Sequence, residues 1–494
     1  MFPFTGVGSI PTVLATTLGF TYYVDSVNGN DSNSGRSPTT ALKTLTALPT
    51  LFPYDTVRLV TDSIFRNQKF ANIPNNLTIE AYGSGAKPIM RGDASLSSGG
   101  WSKTVGRTFV YERTITFDAD PSGYMLIFEN DAFMARKTSV ANVDSNAGSY
   151  YCTSDTAGTA TLYIHATGDG DPASNGKTYD YTKTALSIDA FSAVGVKLRG
   201  VIFKRSLYQN GYVYLGKNSY AYSCDFQQNS RHNFICRGGF YGESCTFTDG
   251  YYAGAGATLF VCYEASPTAA DTVTLISCTA SNSGSPDTAV TGYLNHGAAS
   301  PGTNFGPVTY ISCAAQNVAT GWSCIDSTLF TFTSCTFSTV TYGISVGVAS
   351  TFNITGVTGS VFTFGVEVAA AATVNVTTPN LTSTAAGFGG CIHSTAGGTI
   401  TMSGGTLTSD NPTNDGARGC FGINTTNTTW IINGMRIALR RPVYFVTNNH
   451  TLNAMDNQSY SNAAAIWQYQ GSSRVGLAAW KSATGFDTNS TQDP

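Results

Sequence analysis

Tyr310-Ile-Ser-Cys313-Ala-Ala315 and, 22 residues later, Phe332-Thr-Ser-Cys335-Thr-Phe337 are two instances of one pattern: a bulky or β-branched run, a small residue, Cys, then an apolar position. The same phrase occurs at Lys197-Leu-Arg-Gly200-Val-Ile-Phe203, Ala221-Tyr-Ser-Cys224-Asp-Phe226, Gly242-Glu-Ser-Cys245-Thr-Phe247 and Leu275-Ile-Ser-Cys278-Thr-Ala280. Matches without Cys centre on Gly356, Pro379, Gly405 and Gly434. Successive spacings of 24, 21, 33, 35, 22, 21, 23, 26 and 29 residues give a period in the low twenties with two coils lengthened by insertions. Self-similarity at such a period is the mark of a solenoid, in which one unit cannot bury its apolar face except against its neighbours.

A coil of this length holds two or three strands of about 4–6 residues, each hydrogen-bonded to the coil above at ~4.8 Å. Strands stacked this way are parallel, and parallel connections within a sheet are right-handed. The predicted fold is therefore all-β, a right-handed parallel β-helix (β-solenoid) with about eleven regular coils after residue 190, N-terminal capping coils and a small β insertion. Cys224, Cys245, Cys278, Cys313 and Cys335 then form a buried column of small soft side chains. A second inward column is read through Cys236, Cys262, Leu294, Cys324, Ile344, Val366, Cys391 and Cys420.

Composition agrees. Charged residues are 12% of the 494, Gly reaches 52, and 26 Tyr and 28 Phe supply bulk. Thirty acids against 27 bases, with no basic block, give no electrostatic ground for nucleic-acid binding. No run approaches the roughly 20 apolar residues that span a bilayer, so no membrane insertion is expected. Eleven Cys without CxxC spacing argue against a zinc site, and no metal or cofactor is expected. Residues 1–20 read as an attachment or linker segment, 21–98 as first coils and cap, 99–186 as the insertion, 187–460 as the main coils and 461–494 as a closing segment.

The segment Tyr22-Tyr-Val-Asp-Ser-Val-Asn-Gly-Asn-Asp31-Ser-Asn-Ser-Gly35, with Leu42-Lys-Thr-Leu45, resembles the opening of pectate-lyase-like right-handed β-helix proteins. Leu77-Thr-Ile-Glu-Ala-Tyr-Gly83-Ser-Gly85 and Lys87-Pro88-Ile resemble the first coils of polysaccharide lyases and bacteriophage tailspikes of that superfamily. Leu162-Tyr-Ile through Gly170-Asp-Pro172 is similar to an insertion some of them carry, and Trp480-Lys-Ser-Ala-Thr-Gly485-Phe-Asp487 is similar to a closing segment. The resemblance implies a polysaccharide partner. Lyases of the superfamily use Asp ligands for calcium and a Lys or Arg base, but between Lys217 and Arg418 the basic side chains apart from His are Arg231 and Arg237. Hydrolysis is thus favoured over elimination.

The lengthened coils between Cys245 and Cys313 are rich in Tyr and Gly. Tyr251, Tyr252, Tyr263, Tyr293, Asn295 and Phe305 are candidates to contact sugar, whose rings stack on flat aromatic faces. Aligning Cys262, Leu294 and Cys324 sets Glu264, His296 and Asp326 in one line, the carboxylates about 10 Å apart at the backbone. Carboxylates roughly 6.5–9.5 Å apart suit inverting glycoside hydrolysis, and a histidine between them could move a proton or orient one. The opposing reading is that residues two positions after an inward Cys also point inward.

The expectation is a phage tailspike or receptor-binding protein that binds and cleaves a bacterial surface polysaccharide, located in the virion tail. Its N-terminal segment would join other virion tail proteins, and the chain would assemble as a homotrimer. The rivals are a secreted bacterial polysaccharide lyase or hydrolase, and a non-enzymatic adhesin or virion decoration fibre.

Overall fold

In the computed structural model the described residues are 19–96, 99–118, 125–155, 158–184, 188–207, 213–251, 257–264, 267–283, 289–297, 305–383, 390–409, 421–423, 428–438, 443–445, 451–456, 459–460, 466–469, 472–475, 477–484 and 489–492. They build a right-handed parallel β-helix whose coils each carry up to three short strands. The first face is a 14-stranded parallel sheet running from Thr21–Val24 to Thr451–Asp456, with eleven of its strands after residue 190. The second face holds strands such as Asp225–Gln227, Thr246–Thr248 and Thr279–Ser281. The third holds Val213–Leu215, His232–Cys236, Thr258–Glu264, Thr291–Gly297, Thr320–Cys324 and Gly390–Ser394. In Thr336–Val346 and Thr358–Val368 the second and third faces are one bent strand.

The repeated Ser-Cys pair makes the corner between the first two faces. Ser223, Ser277 and Ser312 lie at φ 51° and Ser244 and Ser334 at φ 53°, a left-handed conformation that turns the chain with a single residue. The residue after the corner then points inward, and the five Cys stack in one column at 0–1% exposure. Backbone pairing refines the later coils. Gly200, Gly356 and Gly434 are corner residues at φ 64°, 62° and 63°, so Val357 and Met435 occupy the Cys position in their coils, while Pro379 and Gly405 are true column members.

One continuous core fills the solenoid from Tyr22 to Trp480. Its unit is the like-on-like stack: Phe203, Phe226 and Phe247 step up the axis at ring separations of 5.5 and 5.4 Å, and Tyr293 lies on Trp322 at 5.2 Å. A buried side chain of this size contributes roughly 1.5–3 kcal/mol, and the repeat places one per coil.

The insertion packs as two small sheets, one of four strands and one of five. The four-stranded sheet already takes in Asp93–Leu96, upstream of the expected start at residue 99. Arg205, fully buried at the rim of a solenoid coil, ties it down. Its guanidinium donates to Asp93 at 2.9 Å and Asp180 at 3.2 Å and lies 3.8 Å from the Phe128 ring centre. Arg91 also donates to Asp93, so each buried charge has a partner.

Candidate functional site

The third face has two inward columns, and the sequence reading merged them. Phe234, Phe260, Tyr293, Trp322, Ile344, Val366 and Ile392 form one; Cys236, Cys262, Asn295, Cys324, Val346, Val368 and Ser394 form the other. Leu294 and Cys391 belong to neither, and Cys420 lies outside the described residues. Leu294 is one residue off because Asn295, a polar residue, fills the Cys position in that coil.

This slip moves the expected trio. Glu264 pairs with Gly297, whereas His296 pairs with Tyr263 on the adjacent, outward register, their rings 4.9 Å apart. Continuing Asn295↔Cys324 by two residues brings Asp326 level with Gly297. Glu264 and Asp326 therefore share a column two steps apart, about 10 Å at the backbone, with a glycine between them in place of His296. Both carboxylates are inside the wall, at 1% and 2% exposure. Glu264 accepts two hydrogen bonds from the Arg237 guanidinium, one at 2.9 Å and a shorter one, and Lys217 Nζ stands 3.4 Å away. Lys217 also donates to Asp271 at 2.7 Å, which makes a chain of alternating charge along the coil edge.

The expected sugar-contacting residues separate as well. Tyr293 and Phe305 are fully buried in the core, and the Tyr293 hydroxyl donates to the Cys278 and Ala314 carbonyls at 2.9 and 3.0 Å. These two cannot meet a polymer on the outside. Asn295 is buried and donates to the Asp326 carbonyl at 2.5 Å. Tyr251 is 8% exposed and packs with Leu126, Phe128 and Phe133 of the insertion. Tyr252 lies outside the described residues. Tyr263 is half-buried on the outer surface, packed against Tyr214, Ile235 and Val261, a small apolar cluster separate from the core.

That outer cluster begins a line the sequence reading missed. One residue before the second inward column, Ile235, Val261, Leu294, Ser323, Ser345, Glu367 and His393 stack outward on successive coils. Ser345 Oγ donates to Glu367 Oε2 at 3.3 Å. The His393 imidazole lies face to face on Phe364, centroids 4.0 Å and planes 8° apart, and Tyr342 adjoins Phe364 at 6.0 Å. Burial raises the Glu367 carboxyl above its usual range, partly offset by the Ser345 hydrogen bond, and burial takes His393 down to about 4. Correct coil register was the available signal: with Cys391 taken as a column residue, Glu367 and His393 do not align.

A second aromatic surface lies on the first face, where Tyr220 stacks on Tyr241 at 5.3 Å and on Tyr222 at 6.5 Å. Arg58 and Glu80 form an ion pair at 2.8 Å on that face, and Tyr222 is 43% exposed. Among the described residues no group of three His, Cys, Asp or Glu side chains is placed to hold a metal ion, and no helix is long and apolar enough to cross a membrane.

The parallel sheets of the described residues define a right-handed parallel β-helix. Comparison of whole structures agrees. The chain superposes on XylC, solved with xylose, with a TM-score of 0.54 and 10% identity over 85% of this chain and 84% of that one. Pectate lyase Pel9A matches at 12% identity over 84% and 78% with a TM-score of 0.33. The catalytic unit of a GH87 α-1,3-glucanase from Streptomyces thermodiastaticus strain HF3-3 matches at 9% over 82% and 96% with a TM-score of 0.37. Identities this low speak to fold alone. No protein-family model matches the sequence, nor does any curated protein.

Proposed function

We propose that the chain binds a bacterial surface polysaccharide along its third face and cleaves it by hydrolysis, as the tailspike or receptor-binding protein of a bacteriophage particle. The observation that carries this reading is the outer surface of the third face, where Ser345, Glu367 and His393 follow one another on successive coils and Tyr263 and His296 pair on an outward register two residues further along their strands. The half-buried Tyr263 and His296 rings, the Ser345 hydroxyl and the half-buried Glu367 carboxyl are presented on one sheet whose strands step by ~4.8 Å, with His393 buried at its edge. Aromatic faces with polar edges suit sugar rings, and a carboxyl among them supplies the proton chemistry that glycosidic cleavage needs. The neighbour solved with xylose and those named as lyase and glucanase are consistent with a carbohydrate ligand. The virion placement draws on the resemblance of the opening coils to tailspikes. Among the described residues ten thiols are free and buried, which also fits a protein folded in a reducing cytosol.

The test is incubation with a panel of bacterial capsular, lipopolysaccharide and exopolysaccharide polymers, followed by size-exclusion chromatography. One polymer shortened to oligosaccharides is the expected result. Polymers neither shortened nor co-eluting with the protein would overturn the reading. A polymer that co-elutes intact would favour the adhesin instead, for which the Tyr220, Tyr222 and Tyr241 surface is the specific support.

A further inference from the structure

We infer that Glu367 is the catalytic general acid of the chain, hydrogen-bonded by Ser345 on the coil below and level with His393 on the coil above, on the outer line of the third face. The assignment rests on the reading of the chain as a polysaccharide hydrolase and names the residue that would carry the reaction.

The geometry separates Glu367 from Glu264, and Asp326 is 2% exposed inside the wall. Glu264 is 1% exposed and its carboxylate oxygens are taken up by Arg237 and Lys217, so it is turned into the wall rather than toward a ligand. Glu367 makes no ion pair among the described residues. It stands half-buried and outward, level with Ser345 on one coil and His393 on the next. The groups facing it are a hydroxyl and an imidazole that carries no charge at neutral pH, because burial takes His393 to about 4. No formal charge on either neighbouring coil therefore stabilises its ionised form. Burial therefore raises the carboxyl above its usual range, opposed by the Ser345 hydrogen bond, which is the direction a general acid requires. Phe364, stacked under His393, keeps the buried imidazole from swinging away.

The step balances with water as the co-reactant. The Glu367 carboxyl gives its proton to the glycosidic oxygen as the C1–O bond breaks, and the leaving sugar departs as an alcohol. Water oxygen bonds to C1, and the proton it releases returns to the Glu367 carboxylate. Ser345 is a positioning residue: its hydroxyl donates to Oε2 and favours the ionised carboxyl.

Two variants test the assignment, using the full chain and the polymer it shortens. Glu367→Gln should lose about 100-fold or more of the rate of reducing-end formation while polymer binding persists. Ser345→Ala should retain activity but move the alkaline limb of its pH–rate profile to higher pH, because removing a hydrogen bond to the carboxylate raises the acid further. A merely structural serine would lower activity without moving that limb. Full cleavage by the Gln variant, or an unmoved limb in the Ala variant, overturns the assignment while leaving the hydrolase reading intact. Binding without cleavage by the unsubstituted chain overturns both.

Discussion

Glu264 and Glu367 occupy the same sheet, but one sits among cations and the other does not. Removing the charge of Glu264 leaves Arg237 and Lys217 facing a neutral amide inside the wall. Glu264→Gln should therefore cost roughly 3 kcal/mol, at the low end for a buried pair because Arg237 keeps some solvent. Denaturant unfolding measures this. Were Glu264 and Asp326 the acid and base instead, the amide variants would lose cleavage with unchanged unfolding midpoints. The sequence made these two carboxylates conspicuous, since each follows an inward Cys by two residues. It could not show that Arg237, one coil away, would close over the first. Glu367 was harder to see because the residues flanking it carry no Cys to mark the register.

At the scale of the element, the corners decide the fold. Ser-Cys was legible because a left-handed corner followed at once by an inward residue restricts two adjacent positions, and few side chains satisfy both. The third face was less legible because its strands bury alternate residues in two columns, and Cys, aromatic and aliphatic residues serve in either. Its entry bend was invisible to the pattern search. There Gly292, Gly321, Gly343 and Gly365 stack on four successive coils, and a Cβ added at Gly321 would come within 2.5 Å of the Gly343 carbonyl oxygen. Gly321→Ala should lower stability by about 1–3 kcal/mol through backbone displacement in both coils, seen as a lower melting temperature. An unchanged melting temperature would mean that the bend relaxes freely.

For the whole molecule, two histidines tie stability to pH. Burial, with Arg231 and His296 nearby, takes His232 down to about 3, and His393 sits at about 4, against ~6.5 in an unfolded chain. The unfolded state therefore binds more protons as pH drops below ~6.5, and folding stability falls toward pH 4. A melting-temperature series from neutral pH to about 4.5 should show this decline. His393→Gln should show a shallower one, whatever its own melting temperature at neutral pH. The rod offers long lateral faces, and we propose that three copies associate along them, as the resemblance to tailspikes implies. Sedimentation velocity at micromolar concentration should give one trimeric species, and a stable monomer would reject it. The measurement that bears most directly on the account is end-group analysis of the polysaccharides incubated with the chain. Hydrolysis predicts one new reducing end per bond broken, without the ultraviolet absorbance of an unsaturated uronate, and with the rate falling as pH rises through the Glu367 ionisation. Unsaturated ends, or no ends of either kind from any bound polymer, would contradict it.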